Sequence, residues 1–297
     1  SAAATYLERY AEITQLAPAV GRVADVSHLV IARDAGQLLL ERGKIFLLSP
    51  VGGRTVGAVF RGEGRFTFTP PHPVEQADLR RFSGSATLDE PFSEAILIFS
   101  DSTFEQLRSL TFAAADIPGN LDDHVRSLIG SLKGTKDDTF SPDAMGPLLN
   151  GANSGFFLAF IDRTRGGDVL FQVNPSLAEA VQLFRPVSRN QWGSAWAVVS
   201  QFAPARPLPG SEEAWRYREQ LTVSSYRVDV QLTESFSANL ALSAGATVAM
   251  VAREAVGPWL LFGLDPKLDV DSARWGNGER AVFFKADDDD DLWVRAG

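Results

Sequence analysis

Three histidines, His28, His72 and His124, are the whole imidazole supply of the chain, and they stand 44 and 52 residues apart. A helix-borne zinc site needs His-Glu-x-x-His, which sets two imidazoles one turn apart with a general base between them. No such segment occurs. Asp122-Asp123-His124 is the one acid–His cluster, but neighbouring positions of a helix point about 100° apart, a poor cradle for one metal. It reads as solvated helix surface, with a metal site as the minor alternative. His28 lies in an apolar, strand-like stretch and reads as a packed or edge imidazole. With no Cys, the chain has no thiolate nucleophile, iron–sulfur ligand, thiolate zinc site or disulfide.

Other chemistry-bearing patterns fail on spacing. Gly151-Ala152-Asn153-Ser154-Gly155 has its first glycine one residue too early for Gly-x-Ser-x-Gly and precedes a strand, whereas a nucleophile elbow needs strand, turn, helix. Ser1 offers only the weakest case for an N-terminal nucleophile. Gly52-Gly53-Arg54-Thr55-Val56-Gly57 lacks the Gly-Lys-Ser/Thr ending of a phosphate loop, and Gly62-Glu63-Gly64-Arg65-Phe66-Thr67 lacks the third glycine of a dinucleotide turn. Both read as hairpin turns. Asp269-Val270-Asp271 opens like a calcium loop, yet Ala273 and Arg274 stand where an oxygen ligand and a glycine are required. Asp287 to Asp291 repel one another and read as an exposed loop, with incidental cation binding as the alternative. Trp192 and Trp196 are weighed as sheet core against a sugar platform, and core is favoured. No catalytic, cofactor-binding or metal residue is assigned.

Positioning elements follow from periodicity. The chain has 297 residues, a net charge of −9 and 45% hydrophobic residues, enough for two domains. Five of its acids form the run 287–291, and no part carries the basic surplus of a nucleic-acid binder. No apolar stretch approaches the roughly 20 residues that span a bilayer as a helix. Residues 6–13 form an amphipathic helix, and residues 37–69 a meander with turns at Arg42-Gly43 and Gly62-Glu63-Gly64. Helices are expected over 74–82, after a cap at Asp101 or Ser102 (with Glu105 placed for a capping box to Ser102), over 121–132, and after Pro175 with the stripe Leu177, Val181, Phe184. Strands are expected at 94–99, 156–161, 169–173 and 195–202. Three prolines in six positions, from Pro204 to Pro209, suggest a linker. The reading is an α+β fold: a mixed domain over 1–210, with an antiparallel sheet and intervening helices, then a β-sandwich-like domain over 211–297.

Two stretches carry a resemblance. Leu264-Asp265-Pro266-Lys267-Leu268-Asp269-Val270-Asp271-Ser272-Ala273-Arg274, then Gly278 to Lys285, with Tyr226 to Leu232 ahead and Leu292-Trp293-Val294 behind, is similar to the amino-terminal β-domain of M1-type zinc aminopeptidases. Ala273 takes the place of the usual second Val. Lys44 to Arg81, with Gly57 to Phe66 and Pro70-Pro71, resembles the leading region of bacterial M1-like proteins. The resemblance implies a parent whose zinc-binding catalytic domain follows this span. It also implies an exported location, periplasmic or extracellular, after removal of a signal peptide. The family's zinc ligands and its Gly-x-Met-Glu-Asn segment have no matching positions here, so zinc is implied only for the parent. The expected role is a non-catalytic region that packs against, or shapes access to, a downstream peptidase domain. The alternatives are a self-contained carboxylate-dependent hydrolase and a carbohydrate- or peptide-binding module.

Overall fold

The computed structural model describes residues 2–133, 146, 148–149, 155–163, 166–187, 196–204, 206–208, 221–234, 240–252, 259–285 and 291–297. Helix α1 (Ala2–Thr14) precedes strands β1 (Pro18–Arg33), β2 (Gly36–Leu48) and β3 (Gly57–Phe68). Helix α2 (Pro73–Ser83), strand β4 (Leu88–Phe99) and helices α3 (Thr103–Leu107) and α4 (Leu121–Lys133) follow. Strands β5 (Phe157–Arg163), β6 (Val169–Val173), β7 (Val181–Pro186) and β8 (Trp196–Phe202) complete one antiparallel sheet, each pairing with the next in chain order. Beyond it lie a two-stranded ribbon, β9 (Leu221–Glu234) with β10 (Leu240–Ala252), and a three-stranded sheet of β11 (Trp259–Gly263), β13 (Asp291–Arg295) and β12 (Phe283–Lys285).

The α+β expectation is therefore corrected: strands hold 52% and helices 16%, and the fold is predominantly β. The expected helix after Pro175 is strand β7. There Val181 and Leu183 face one core and Phe184 the other, across a register shift opposite β8. Strand β7 is buried on both faces, so ordinary alternation puts apolar side chains at 181, 183 and 184, and with Leu177 these fall at helical spacing. The turn expected at Arg42-Gly43 lies inside continuous β2, and that at Gly62-Glu63-Gly64 inside continuous β3. These glycines serve a bend: Gly43 pairs with Gly62, and a Cβ on either would overlap the other strand's backbone. The real β2–β3 turn is at Gly52-Gly53, both with positive φ. Of the two cap candidates, Asp101 makes the side-chain cap of α3, its Oδ1 accepting the Thr103 N–H at 2.8 Å. The sandwich expected over 211–297 is replaced by the two small sheets. The Pro204–Pro209 segment and the Asp287 run lie partly outside the described residues, and Gly151–Ser154, Trp192 and Ser1 wholly so.

The eight-stranded sheet curls. Rings from β3, β5, β6 and β8 meet on one face, where Phe66, Phe68, Phe157 and Phe202 surround or extend the Phe171 cluster. Leu79 of α2 and Leu107 of α3 join this interior. Gly36 admits the Phe171 ring, since a Cβ there would collide with it. Register shifts run across neighbouring strands between Leu40 and Arg42, Arg61 and Gly64, and Phe92 and Glu94. They form a transverse line along which the sheet bends, as bulges in adjacent strands require.

The outer face is covered on one side of that line. Ile13 of α1, Val125, Leu128 and Ile129 of α4, Trp259 of β11 and Trp293 of β13 pack there with Phe46, Val59, Ile96 and Leu158. Tyr10 meets Phe284 of β12 at 4.5 Å between ring centroids. The strands are thus buried on both faces there, which is why residues 95–99 and 156–161 read as unbroken apolar runs.

Candidate functional site

Where the outer cover ends, one transverse row of charge crosses the sheet. Direct cross-strand pairing runs Asp25↔Lys44, Lys44↔Arg61, Arg61↔Glu94 and Glu94↔Asp162. Paired residues share a face, so these five side chains stand in line. Asp168, one position before the Ile161↔Val169 pair, extends the row into the β5–β6 turn. Lys44 binds Asp25 at 2.8 Å, both exposed. Arg61 Nε donates to Glu94 Oε2 at 2.5 Å, and its Nη1 donates to Asn120 Oδ1 at 2.9 Å. Glu94 is nearly buried, its side chain 8% exposed against 23% for Arg61, so the pair works at lower dielectric than Lys44–Asp25.

His124, from the first turn of α4, sets Nδ1 at 2.8 Å from Glu94 Oε1 and 3.5 Å from Arg61 Nη2. The carboxylate only accepts and its contact is far the shorter, so the network assigns the proton to Nδ1, which donates to Glu94. The acid–His cluster of the sequence does not converge: Asp123 pairs with Arg126 at 3.0 Å, while His124 turns to Glu94 from another element. At the acidic end, burial first, then the charge of Asp162 and a hydrogen bond with it, push the Asp168 carboxyl upward. Burial also pushes the neighbouring Arg163 guanidinium down. Arg163 donates to the Gly166 and Gly167 carbonyls at 2.6 Å each, which fixes the turn that carries Asp168. The row spends its charges on one another and pins α4 to the sheet. That is a positioning arrangement.

The other histidines serve structure. His28 is exposed in β1 with φ 55°, at the point where the strand's inward parity changes between Val26 and Leu29. His72 precedes α2, its ring 6.2 Å from Phe202. Trp196 stacks edge-on to Phe160 at 5.9 Å within the outer core. Glu75 of α2 accepts from the Ser200 hydroxyl at 2.7 Å and the Gln201 N–H at 2.9 Å, blocking the free edge of β8. An open groove beside it is lined by Arg81, Phe82, Arg185 and Val198. Among the described residues no three His, Asp or Glu side chains are grouped to hold a metal, and these parts give the zinc of the resembled family no donor set.

The ribbon presents a different surface. In register, Leu232↔Leu242, Val230↔Ala244, Val228↔Ala246 and Tyr226↔Val248 occupy one face, with Arg227, Asp229, Gln231, Ser243 and Thr247 on the other. At Ser224 a bulge adds a residue, and its hydroxyl donates to the Ala249 carbonyl at 3.1 Å. The bulge returns Val223, paired with Met250, to the apolar face. The sequence shows the same switch, with apolar residues at 221 and 223 and then at 226, 228, 230 and 232. Tyr226 is 68% exposed, Val228 56%, Val230 53% and Leu232 63%. None of these residues belongs to either core. The sequence shows the alternation of 226–232 and leads to the expectation that a second sheet or the neighbouring domain covers its apolar face.

No protein-family profile, curated protein or solved structure matches this chain.

Proposed function

We propose that this chain is a non-catalytic region that docks on, and shapes access to, a zinc peptidase domain of the same parent protein, with the β9–β10 ribbon as its docking element. The observation that carries the reading is the exposure of Tyr226, Val228, Val230, Leu232 and Leu242 on one face of the ribbon. An isolated two-stranded ribbon is marginally stable in water and gains stability when its apolar face is covered. A row of large apolar residues at alternate positions is a surface that a partner of similar apolarity would desolvate. The resemblance of 226–232 and 264–294 to the β-domain that precedes the catalytic domain in M1-type aminopeptidases supplies the identity of the partner.

In this reading the curled sheet is a rigid support. Its interior is filled by phenylalanine rings, and its outer face carries α1, α4 and the three-stranded sheet. Amino-acid arylamide hydrolysis, assayed with and without added zinc on this chain and on its longer parent, tests the proposal. Turnover is expected in the parent alone. Zinc-dependent turnover by residues 1–297 would contradict it.

A further inference from the structure

The apolar face of the ribbon is complementary in shape to itself. Strand β9 contributes the ridge Tyr226, Val228, Val230 and Leu232, while the facing positions of β10 include Ala244 and Ala246, which leave a shallow furrow beside it. We propose that two copies of this chain associate ribbon on ribbon through this face, about a two-fold axis parallel to the strands. Such an axis lays β9 of each copy over β10 of the other. It sets Val228 over Ala246 of the second copy and Val230 over Ala244 of the second copy, because those residues are level with each other within one ribbon. An isologous contact demands a patch that matches itself, and a ridge beside a furrow at the same height satisfies that demand.

Area and charge favour the same occupant. The exposed part of the face runs from the Leu232↔Leu242 pair to the Tyr226↔Val248 pair, so it is roughly 20 Å long at about 3.3 Å per residue. Tyr226, Val228, Val230, Leu232 and Leu242 are 49–68% exposed, and Val248 beside Tyr226 is half-buried. Covering it in both copies removes on the order of 1,000 Å² of surface, the level a specific interface has to reach. No ionisable residue other than the Tyr226 phenol stands among the eight core positions of this face, so self-pairing meets no like-charge repulsion. Arg227 and Asp229 sit on the opposite face, paired with each other at 3.2 Å. The inference rests on the reading that this face is a docking surface and gives it a second occupant. Self-association and docking on a catalytic domain then compete for the same residues.

Sedimentation of the full 297-residue chain across roughly 1–100 µM tests this, with amide hydrogen exchange of residues 221–234 and 240–252 read on the same samples. The expected result is a rise from 32.2 kDa towards twice that mass, with ribbon exchange slowing as concentration rises. Val228→Lys with Val230→Lys should keep the chain monomeric, and Gln231→Lys on the polar face should leave the dimer intact. Ala246→Trp fills the furrow without adding charge and should also abolish the dimer, which separates shape from electrostatics. A dimer that survives both face variants overturns the proposal. A monomer with fast ribbon exchange at every concentration overturns self-association and leaves the docking reading standing. A monomer with slow ribbon exchange overturns both, because the face would then be covered within the chain.

Discussion

The ring of Phe68 in β3 lies 6.1 Å from that of Phe202 in β8, although five strand steps separate them in the sheet. Laid flat, those steps would span about 24 Å at ~4.8 Å each. The contact therefore measures how far the sheet has curled. It also explains why the chain needs so many phenylalanines: an antiparallel meander of eight strands encloses a volume that aliphatic side chains of one residue each fill poorly.

Phe171 is the hub of that interior, fully buried and within 5.6–6.2 Å of Phe66, Phe68 and Phe157 between ring centroids. Phe171→Ala should cost about 3–5 kcal/mol by chemical denaturation, through lost transfer energy and the cavity left behind. Gly36→Ala should cost about 1–3 kcal/mol, because its methyl would push the same ring. In a double mutant the two effects should fall short of their sum, since removing the ring vacates the space the methyl needs.

Burial separates the ion pairs of the sheet. Arg61–Glu94 is largely enclosed, and removing one partner strands a charge, so Arg61→Ala should cost about 3–5 kcal/mol. Arg42–Glu63 has both side chains more than 60% exposed, and Arg42→Ala should change stability by less than about 1 kcal/mol. Equilibrium unfolding of both variants, at low and high salt, checks the contrast; equal effects would contradict it.

Asp168 gives a pH dependence with a definite sign. Its folded carboxyl is held above the ordinary value by burial and by Asp162, so the fold binds its proton more tightly than the unfolded chain does. This group's stability penalty is absent below the unfolded pKa and grows as pH rises through the folded one. Asp168→Asn should raise the melting temperature at neutral pH and have no such effect at pH 3. Thermal unfolding from pH 3 to 8 reads the difference, and a variant less stable at pH 7 would contradict the account.

Glu75 guards the edge of β8. Glu75→Ala frees the Ser200 hydroxyl and the Gln201 N–H and should cost about 1–3 kcal/mol. It should also increase concentration-dependent aggregation, measured by light scattering, because an open edge templates strand addition.

How much of this was legible depends on where side chains point. The alternation in 65–69 and 226–232 reveals strands directly, since one face is buried or apolar and the other is not. The bend was not legible as a bend. Gly43 and Gly62 look like turn residues, because nothing local tells a glycine at a hairpin tip from one at which two strands approach within backbone contact. The helix expected after Pro175 failed because β7 is buried on both faces: ordinary alternation puts Val181 and Leu183 in one core and Phe184 in the other, and with Leu177 these mimic a helical stripe. The charged row was hidden altogether. Asp25, Lys44, Arg61, Glu94 and Asp162 are each an ordinary polar position in their own strand, and only the register places them in line. The one available signal was that each lies two residues from an apolar residue of the outer core.

The central claim is that the apolar face of β9–β10 is a docking surface, and amide hydrogen exchange across residues 221–234 and 240–252 tests it most directly. The measurement compares this chain at low concentration with the longer, zinc-binding parent that we propose. The account predicts fast exchange in the ribbon of the isolated chain, against slow exchange in the curled sheet, and strong protection of the ribbon in the parent. Equal, rapid exchange of the ribbon in both would contradict it.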